Sequence, residues 1–278
     1  MIYGTIEPMS QEKRYLPDTN RIGVLTAAVL LAYALARLID SPGYALDLNL
    51  AGVTITIPLN LTIALIFLAV GLTASGIDWL LRNHPSFHQV NTLEHWVLPA
   101  LTTLVIGFPL YTLPNGLEWW LSFALGGVLL VAVFLAEYIT VDSLDARYSI
   151  ASAVLVAVSF ALFLILASAL RYAGARLYFL FPLLWLAAFL VSLRVLHLRL
   201  MGSWEWAWAA GIALACAQLA AAFHYLPLGA VQYGLLLLGP LYALTSMANN
   251  ILEGAELRRA GIVTAGITLG FWILSALL

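Results

Sequence analysis

Long apolar runs alternate with short polar connectors along this chain, and each run is long enough to cross a bilayer. The runs lie at 22–39, 58–77, 96–113, 117–139, 149–170, 177–196, 204–223, 228–248 and 261–278. At about 20 residues per crossing, nine helices take up roughly 180 residues, and what remains is spread too thinly to build a second core. The pattern therefore predicts an all-α polytopic membrane protein: a polar tail over residues 1–20 and a single transmembrane domain over 21–278. The first run is longer than a signal-peptide core and is followed by Asp40, Ser41, Pro42 and Gly43 rather than by a small-residue cleavage site, so it is expected to stay as a helix. Pro114, Asn115 and Gly116 form a strong turn signal and predict a helical hairpin between the third and fourth spans.

One segment breaks the helical period. Leu46, Leu48 and Leu50 alternate with Asp47 and Asn49, and Val53, Ile55 and Ile57 alternate with Thr54 and Thr56. Period two on both sides of Ala51 and Gly52 predicts a small β-hairpin between the first and second helices. It is expected on the extracytoplasmic side, as a lid or spacer lying on helix ends or at the lipid interface.

Composition agrees with the pattern: 63% of residues are hydrophobic, 9% are charged and the mean hydropathy is +0.97. Lipid allows apolar side chains outside a fold as well as inside it. A net charge of −2 provides no basic field, so nucleic acid is not an expected partner. The expected partners are the bilayer and other membrane proteins. Cys216 has no second cysteine and reads as a small core hydrophobe.

The distribution of positive charge predicts orientation. With a cytoplasmic N-terminus, nine of the 12 lysines and arginines face inward, leaving Arg37, Arg171 and Arg176 outside. Trp79, Trp96, Trp204, Trp206 and Trp208 then mark the inner boundary, and Trp119 and Trp120 the outer one. The C-terminus is expected to be extracytoplasmic.

Chemistry is expected at the inner face. The connector from Asp78 to His95 holds three of the five histidines, His84, His88 and His95. If Pro85 opens a short helix capped by Asn83 or His84, then His84, His88, Asn91 and His95 share one stripe. Such a stripe could hold a divalent metal, because histidines four apart on a helix are a known ligand spacing. Solvated side chains on an interfacial helix would give the same pattern and carry more weight, since no glutamate lies between the histidines as in H-E-x-x-H. No other cofactor is indicated.

Acids from other inner connectors could join this group. Glu94 lies at the end of the histidine connector; Glu137, Asp142 and Asp145 follow the fourth span, and Asn249, Asn250, Glu253 and Glu256 follow the eighth. Local ion pairs explain several of them, such as Asp142 or Asp145 with Arg147 and Glu256 with Arg259. Glu137 stands apart because it falls in the last helical turn, where an ionised group needs a partner or water. The connector from Asp78 to His95 is expected to approach Glu137 and Asp142 and to form the most polar concavity at that boundary.

Other marks are weaker. Arg37, His197 and His224 lie near span ends and have interfacial explanations, which also argues against a haem or pigment held deep in the bilayer. Pro99, Pro109, Pro182 and Pro240 can bend or interrupt spans, and Gln218 and Gln232 could line a polar path. No Walker sequence, G-x-S-x-G elbow, cysteine-pair metal motif or dinucleotide fingerprint is present. The leading reading is a non-catalytic membrane protein that handles a lipid or other apolar molecule, or a subunit of a membrane assembly. One rival is a membrane-embedded enzyme, metal-dependent or not, built on the inner polar cluster; the other is a carrier using bent sixth and eighth spans.

Overall fold

Asp18 opens the first helix by accepting a 2.9 Å hydrogen bond from the Asn20 N–H, so α1 runs Thr19–Leu38. The structure is a computed structural model describing residues 17–39, 44–50, 53–59, 61–82, 84, 93–114, 116–200 and 202–278. After α1 come strands β1 (Tyr44–Leu50) and β2 (Val53–Leu59), paired antiparallel with Leu50 opposite Val53 and Tyr44 opposite Leu59. Residues 51 and 52, at the expected turn, lie outside the described residues. The helices that follow are α2 (Leu61–Leu81), α3 (Leu93–Thr112), α4 (Leu117–Ile139), α5 (Tyr148–Tyr172), α6 (Leu177–Arg199), α7 (Trp206–Phe223), α8 (Ala230–Leu252) and α9 (Leu257–Leu277). Among the described residues, these nine helices are long and apolar enough to cross a membrane, as suits a chain integral to a bilayer.

Short connectors make successive helices antiparallel. The starts of α3 and α5 and the ends of α2, α4 and α6 therefore meet at one end of the bundle. Two apolar cores lie side by side. Val29 and Tyr33 of α1, Ile77 and Leu80 of α2, and Phe134 of α4 build the first. Leu155 and Phe163 of α5, Val191 of α6, Cys216 of α7 and Tyr233 of α8 build the second. Helices α3 and α4 contribute to both and join them. Hydroxyl pairs add directional contacts: Tyr33 donates to the Thr103 carbonyl, and the Thr73 and Thr103 hydroxyls lie 2.8 Å apart.

The prolines do not interrupt the spans. Pro99 and Pro109 lie within α3, Pro182 within α6 and Pro240 within α8, and each helix continues through them. Of the two expectations, bending or interruption, the sixth and eighth spans show no interruption. Near Pro99, the Thr103 hydroxyl donates to the proline carbonyl at 3.0 Å. Side-chain hydroxyls of this kind help irregular backbone survive in lipid.

Helix α9 is held by α8. A Cβ at Gly239 would come within 2.6 Å of Phe271 Cβ, so glycine permits the close approach. Trp272 Nε1 donates to the Leu236 carbonyl at 3.1 Å, and the Ser275 hydroxyl donates to the Gln232 carbonyl at 2.9 Å. Within its apolar window 11% of α9 is buried, against 56% of α6. The outer faces of α9 are thus available to lipid, whereas α6 is an internal helix.

Candidate functional site: a buried carboxylate and histidine cluster

The first turn of α3 brings Glu94 and His95 to the end of the bundle where α4 and α6 finish. An acid in that first turn complements the free N–H groups there. Glu137 lies in the last turn of α4, and the Thr140 hydroxyl that follows donates to the Glu137 carbonyl at 3.1 Å. Arg194 and His197, three residues apart, share one face of α6 near its end. At Gly202 the chain adopts φ +96°, a conformation that favours glycine, and its N–H bonds the His197 carbonyl at 3.0 Å.

These five side chains form one continuous polar chain. Arg194 Nη2 donates to Glu137 Oε2 at 2.5 Å, and the same oxygen lies 2.6 Å from His95 Nδ1. The other nitrogen of that ring, Nε2, is 3.3 Å from Glu94 Oε1, and Glu94 Oε2 is 2.5 Å from His197 Nε2. Glu137, Arg194 and His95 are 0%, 1% and 2% exposed. Charges so deeply buried persist through mutual compensation, because removing one partner of a buried pair costs about 3–5 kcal/mol.

Two carboxylates orient the two histidine rings. A proton must lie between His95 Nδ1 and Glu137 Oε2 at 2.6 Å, and Nε2 of the same ring faces a second carboxylate. Nδ1 is the nitrogen that makes the hydrogen bond, while Nε2 is buried at ion-pair distance from Glu94 without one. His197 Nε2 lies 2.5 Å from Glu94 Oε2, so the second ring is oriented by the same acid.

A cavity of about 460 Å³ opens beside the cluster, lined by Glu94, His95, Arg194 and His197 together with Tyr148 and Leu198. Among the described residues, Arg194 Nε, Glu137 Oε1 and His197 Nδ1 are buried with no hydrogen-bond partner. The ring of Trp204 lies 4.4 Å from that of His197 and covers one side of it.

The other expected residues fall around this centre. His84 is 3% exposed and sets its ring edge-on to Tyr138, with centroids 4.8 Å apart. Burial pulls its pKa below the ordinary value; the carboxylates of Asp142 and Asp145 oppose that shift, and His95 adds to it. Asp142 Oδ1 accepts the Leu144 N–H at 2.9 Å in the turn after α4. Asp145 takes Arg147 as its partner through the backbone N–H, Nε and Nη2, at 2.8, 3.1 and 2.8 Å. Those bonds hold the Asp145 carboxyl below its usual range and push the Arg147 guanidinium up.

Several candidates stay apart from the cluster. Asp78 binds Arg82 one turn along α2 at 2.8 Å. Asn249 donates to Glu253 at 2.8 Å on its own helix, and the Asn250 carbonyl accepts the Ala255 N–H at 2.9 Å. His88 lies outside the described residues, as does the short helix expected after Pro85. For the metal set of His84, His88 and His95, the described part shows His84 packed on Tyr138 and His95 held between two carboxylates. Among the described residues, no group of three histidine, cysteine or acidic side chains is placed to hold a metal ion.

Arg194 and His197 are the members that sequence reasoning missed. It placed Arg194 among cytoplasmic charges and His197 at the interface; the structure buries both. Their spacing of three, inside an otherwise apolar helix, is a signal that one face of α6 meets polar partners.

The fold thus defines an all-helical bundle of membrane-spanning type with a buried ionic cluster at one end. The family model DUF5656, described as a protein of unknown function, matches residues 41–278, and the chain belongs to that family. All five cluster residues fall within the match. None of the curated proteins and none of the solved structures matches the chain.

Proposed function

We propose that this protein is a non-catalytic integral membrane protein that holds a lipid-like molecule by its polar head at the end of the bundle. The observation that carries this is the cavity of about 460 Å³, in which Arg194 and His197 stand beside Leu198 and Tyr148. A pocket with a few placed polar groups and an apolar wall suits an amphipathic ligand. Each carboxylate is already engaged by a cation or a histidine, which favours binding over attack on a substrate. Native mass spectrometry of protein extracted with its own membrane lipids tests it. Wild type retains a lipid-sized ligand, and Ser143→Trp, at the exposed rim, loses it. Equal ligand content in both would remove the proposal.

One observation favours a second reading, a membrane-embedded enzyme. Glu94 orients His197, a residue of the cavity lining, through Nε2 and leaves its buried Nδ1 without a hydrogen-bond partner, a pairing used by general bases. Incubation with total membrane lipids would then yield a mass change that His197→Gln abolishes.

In the binding reading the site faces the cytoplasm, the tail over residues 1–20 lies on the same side, and the β1–β2 ribbon and the C-terminus lie outside. The excess of positive charge at the site's end of the bundle supports this orientation. A cysteine placed at Ser86 should be labelled by an impermeant reagent from the cytoplasmic side, with labelling from outside reversing the assignment. Native Cys216 is buried and leaves the background low.

A further inference from the structure

Arg199, the last residue of α6, is a half-buried cation. Among the described residues no acid pairs with it and no side-chain hydrogen bond engages it. It lines a groove of about 380 Å³ between α5, α6 and α8. We infer that this groove holds an anionic phospholipid, with the phosphate at Arg199 and one acyl chain lying along α5. The site goes beyond the cluster cavity: the two share Leu198 and no member of the ionic cluster.

Depth is the first constraint. From the end of the bundle the groove runs down α5 past Ser152, Ala153 and Ala157 to Phe160, whose ring meets that of Tyr242 edge-on with centroids 5.1 Å apart. Ser152 and Phe160 are eight residues apart, about 12 Å of helix. That is most of the roughly 15 Å of hydrocarbon in one leaflet. Phe160 and Tyr242 lie near the middle of α5 and α8, so the groove ends near the midplane of the bilayer. Small side chains on α5 keep it open, and apolar walls suit an acyl chain. Its volume is that of an ordinary ligand pocket.

Charge is the second. A guanidinium stays protonated at any working pH, and the groove lining contains no acid to balance it. A phosphate at the membrane boundary supplies that anion and matches the paired N–H donors of arginine. Basic pockets between membrane helices take anionic head groups for this reason. A zwitterionic head carries its own cation, which competes with the guanidinium for the phosphate. Water alone solvates many cations at helix ends; the chain-length apolar groove beneath this one is what singles out a lipid.

The test uses the full chain in a neutral detergent and lipids with matched chains, so that the head alone varies. Dioleoyl phosphatidylglycerol and dioleoyl phosphatidylcholine are titrated and followed by native mass spectrometry, with glycerol 3-phosphate as a soluble phosphate. Phosphatidylglycerol should bind about fivefold more tightly, the effect of one basic residue at a charged membrane surface. Arg199→Gln should abolish that preference, and Arg199→Lys, which keeps the charge, should retain much of it. Ala157→Trp, on an exposed position of α5 in the path of the chain, should lower the binding of both lipids. Ser143→Trp, at the rim of the other cavity, should leave the preference unchanged, so this site and the cluster cavity fail independently. Equal binding of the two lipids, a preference that survives Arg199→Gln, or lipid binding indifferent to Ala157→Trp would overturn the inference. Loss of the preference in Ser143→Trp would move the anionic head to the cluster cavity, and glycerol 3-phosphate binding as tight as the lipid would make this a soluble-anion site; either result overturns it.

Discussion

Two arginine–carboxylate pairs occupy the same end of this bundle under opposite conditions. Glu137 and Arg194 are 57 residues apart and join α4 to α6, with side chains 0% and 2% exposed. Asp145 and Arg147 are two residues apart in the loop after α4, with the Asp145 side chain 2% and the Arg147 side chain 29% exposed. The contacts are chemically alike, at 2.5 and 2.8 Å. Their surroundings decide their weight. Water reaches the Arg147 end of the loop pair and can replace the guanidinium, whereas both members of the other pair are closed off from it.

The largest expected effect comes from breaking the buried pair. Arg194→Met should cost about 3–5 kcal/mol, because the buried Glu137 then keeps only the His95 ring as a partner. A thermal melt in detergent would show it as the steepest fall of the series. The double variant Glu137→Leu/Arg194→Met should recover much of the loss, since neither charge is stranded. A double variant that melts as low as the single one would show that unpaired charge is not the cause.

His197→Ala ranks next. It strips Glu94 of a 2.5 Å partner, but the Glu94 side chain is 18% exposed and reaches the cavity. The expected cost is about 1–3 kcal/mol, that of an acceptor left partly unmet. A fall equal to that of Arg194→Met would mean that the cluster acts as one unit with no outer and inner members.

The third test uses pH. Burial holds the His84 pKa below its ordinary 6.5 in the fold, so the unfolded chain binds the proton more readily. Its neutral form is fully accommodated above that ordinary value, and stability declines as pH falls below it. His84→Gln should flatten the slope of melting temperature between neutral and mildly acidic pH. Parallel slopes in wild type and variant would assign the acid sensitivity to other groups, with His95, Asp142 and Asp145 the first to consider.

The smallest effect is expected at the loop pair. Arg147→Ala should cost about 1 kcal/mol, because the residue-147 backbone N–H still reaches Asp145 and water can replace the guanidinium, and less in high salt. Asp145 has a depressed pKa, so its contribution is present above its ordinary 3.8 and is lost as pH falls through the depressed value. A loss comparable to that of Arg194→Met would break the contrast between the two pairs.

The same contrast explains what the sequence makes legible. Apolar runs mark the spans because lipid demands them. Their ends are blurred where tertiary partners admit charge: α3 begins at Leu93 rather than at Trp96, and α6 continues to Arg199 rather than stopping at Leu196. Glu94, His95, His197 and Arg199 lie in those added turns, and a hydropathy reading ends a span at such residues. The loop pair is legible because its partners are neighbours in sequence. Glu137 announces a need for a partner by its depth, yet nothing local says that the partner sits on α6. That choice follows from the packing of α3 against α4 and α6, which places residues 94, 137 and 194 at one level.

The order in which these charges are synthesised has a consequence of its own. Ribosomes deliver α3 and α4 to the membrane first, and with them Glu94, His95 and Glu137; Arg194 follows only after all of α5 and most of α6. Until then the early hairpin carries two carboxylates and at most one protonated ring, an arrangement poorly suited to the bilayer interior. A chain that stops short of the end of α6 therefore carries these acids without the guanidinium that meets Glu137 in the complete bundle.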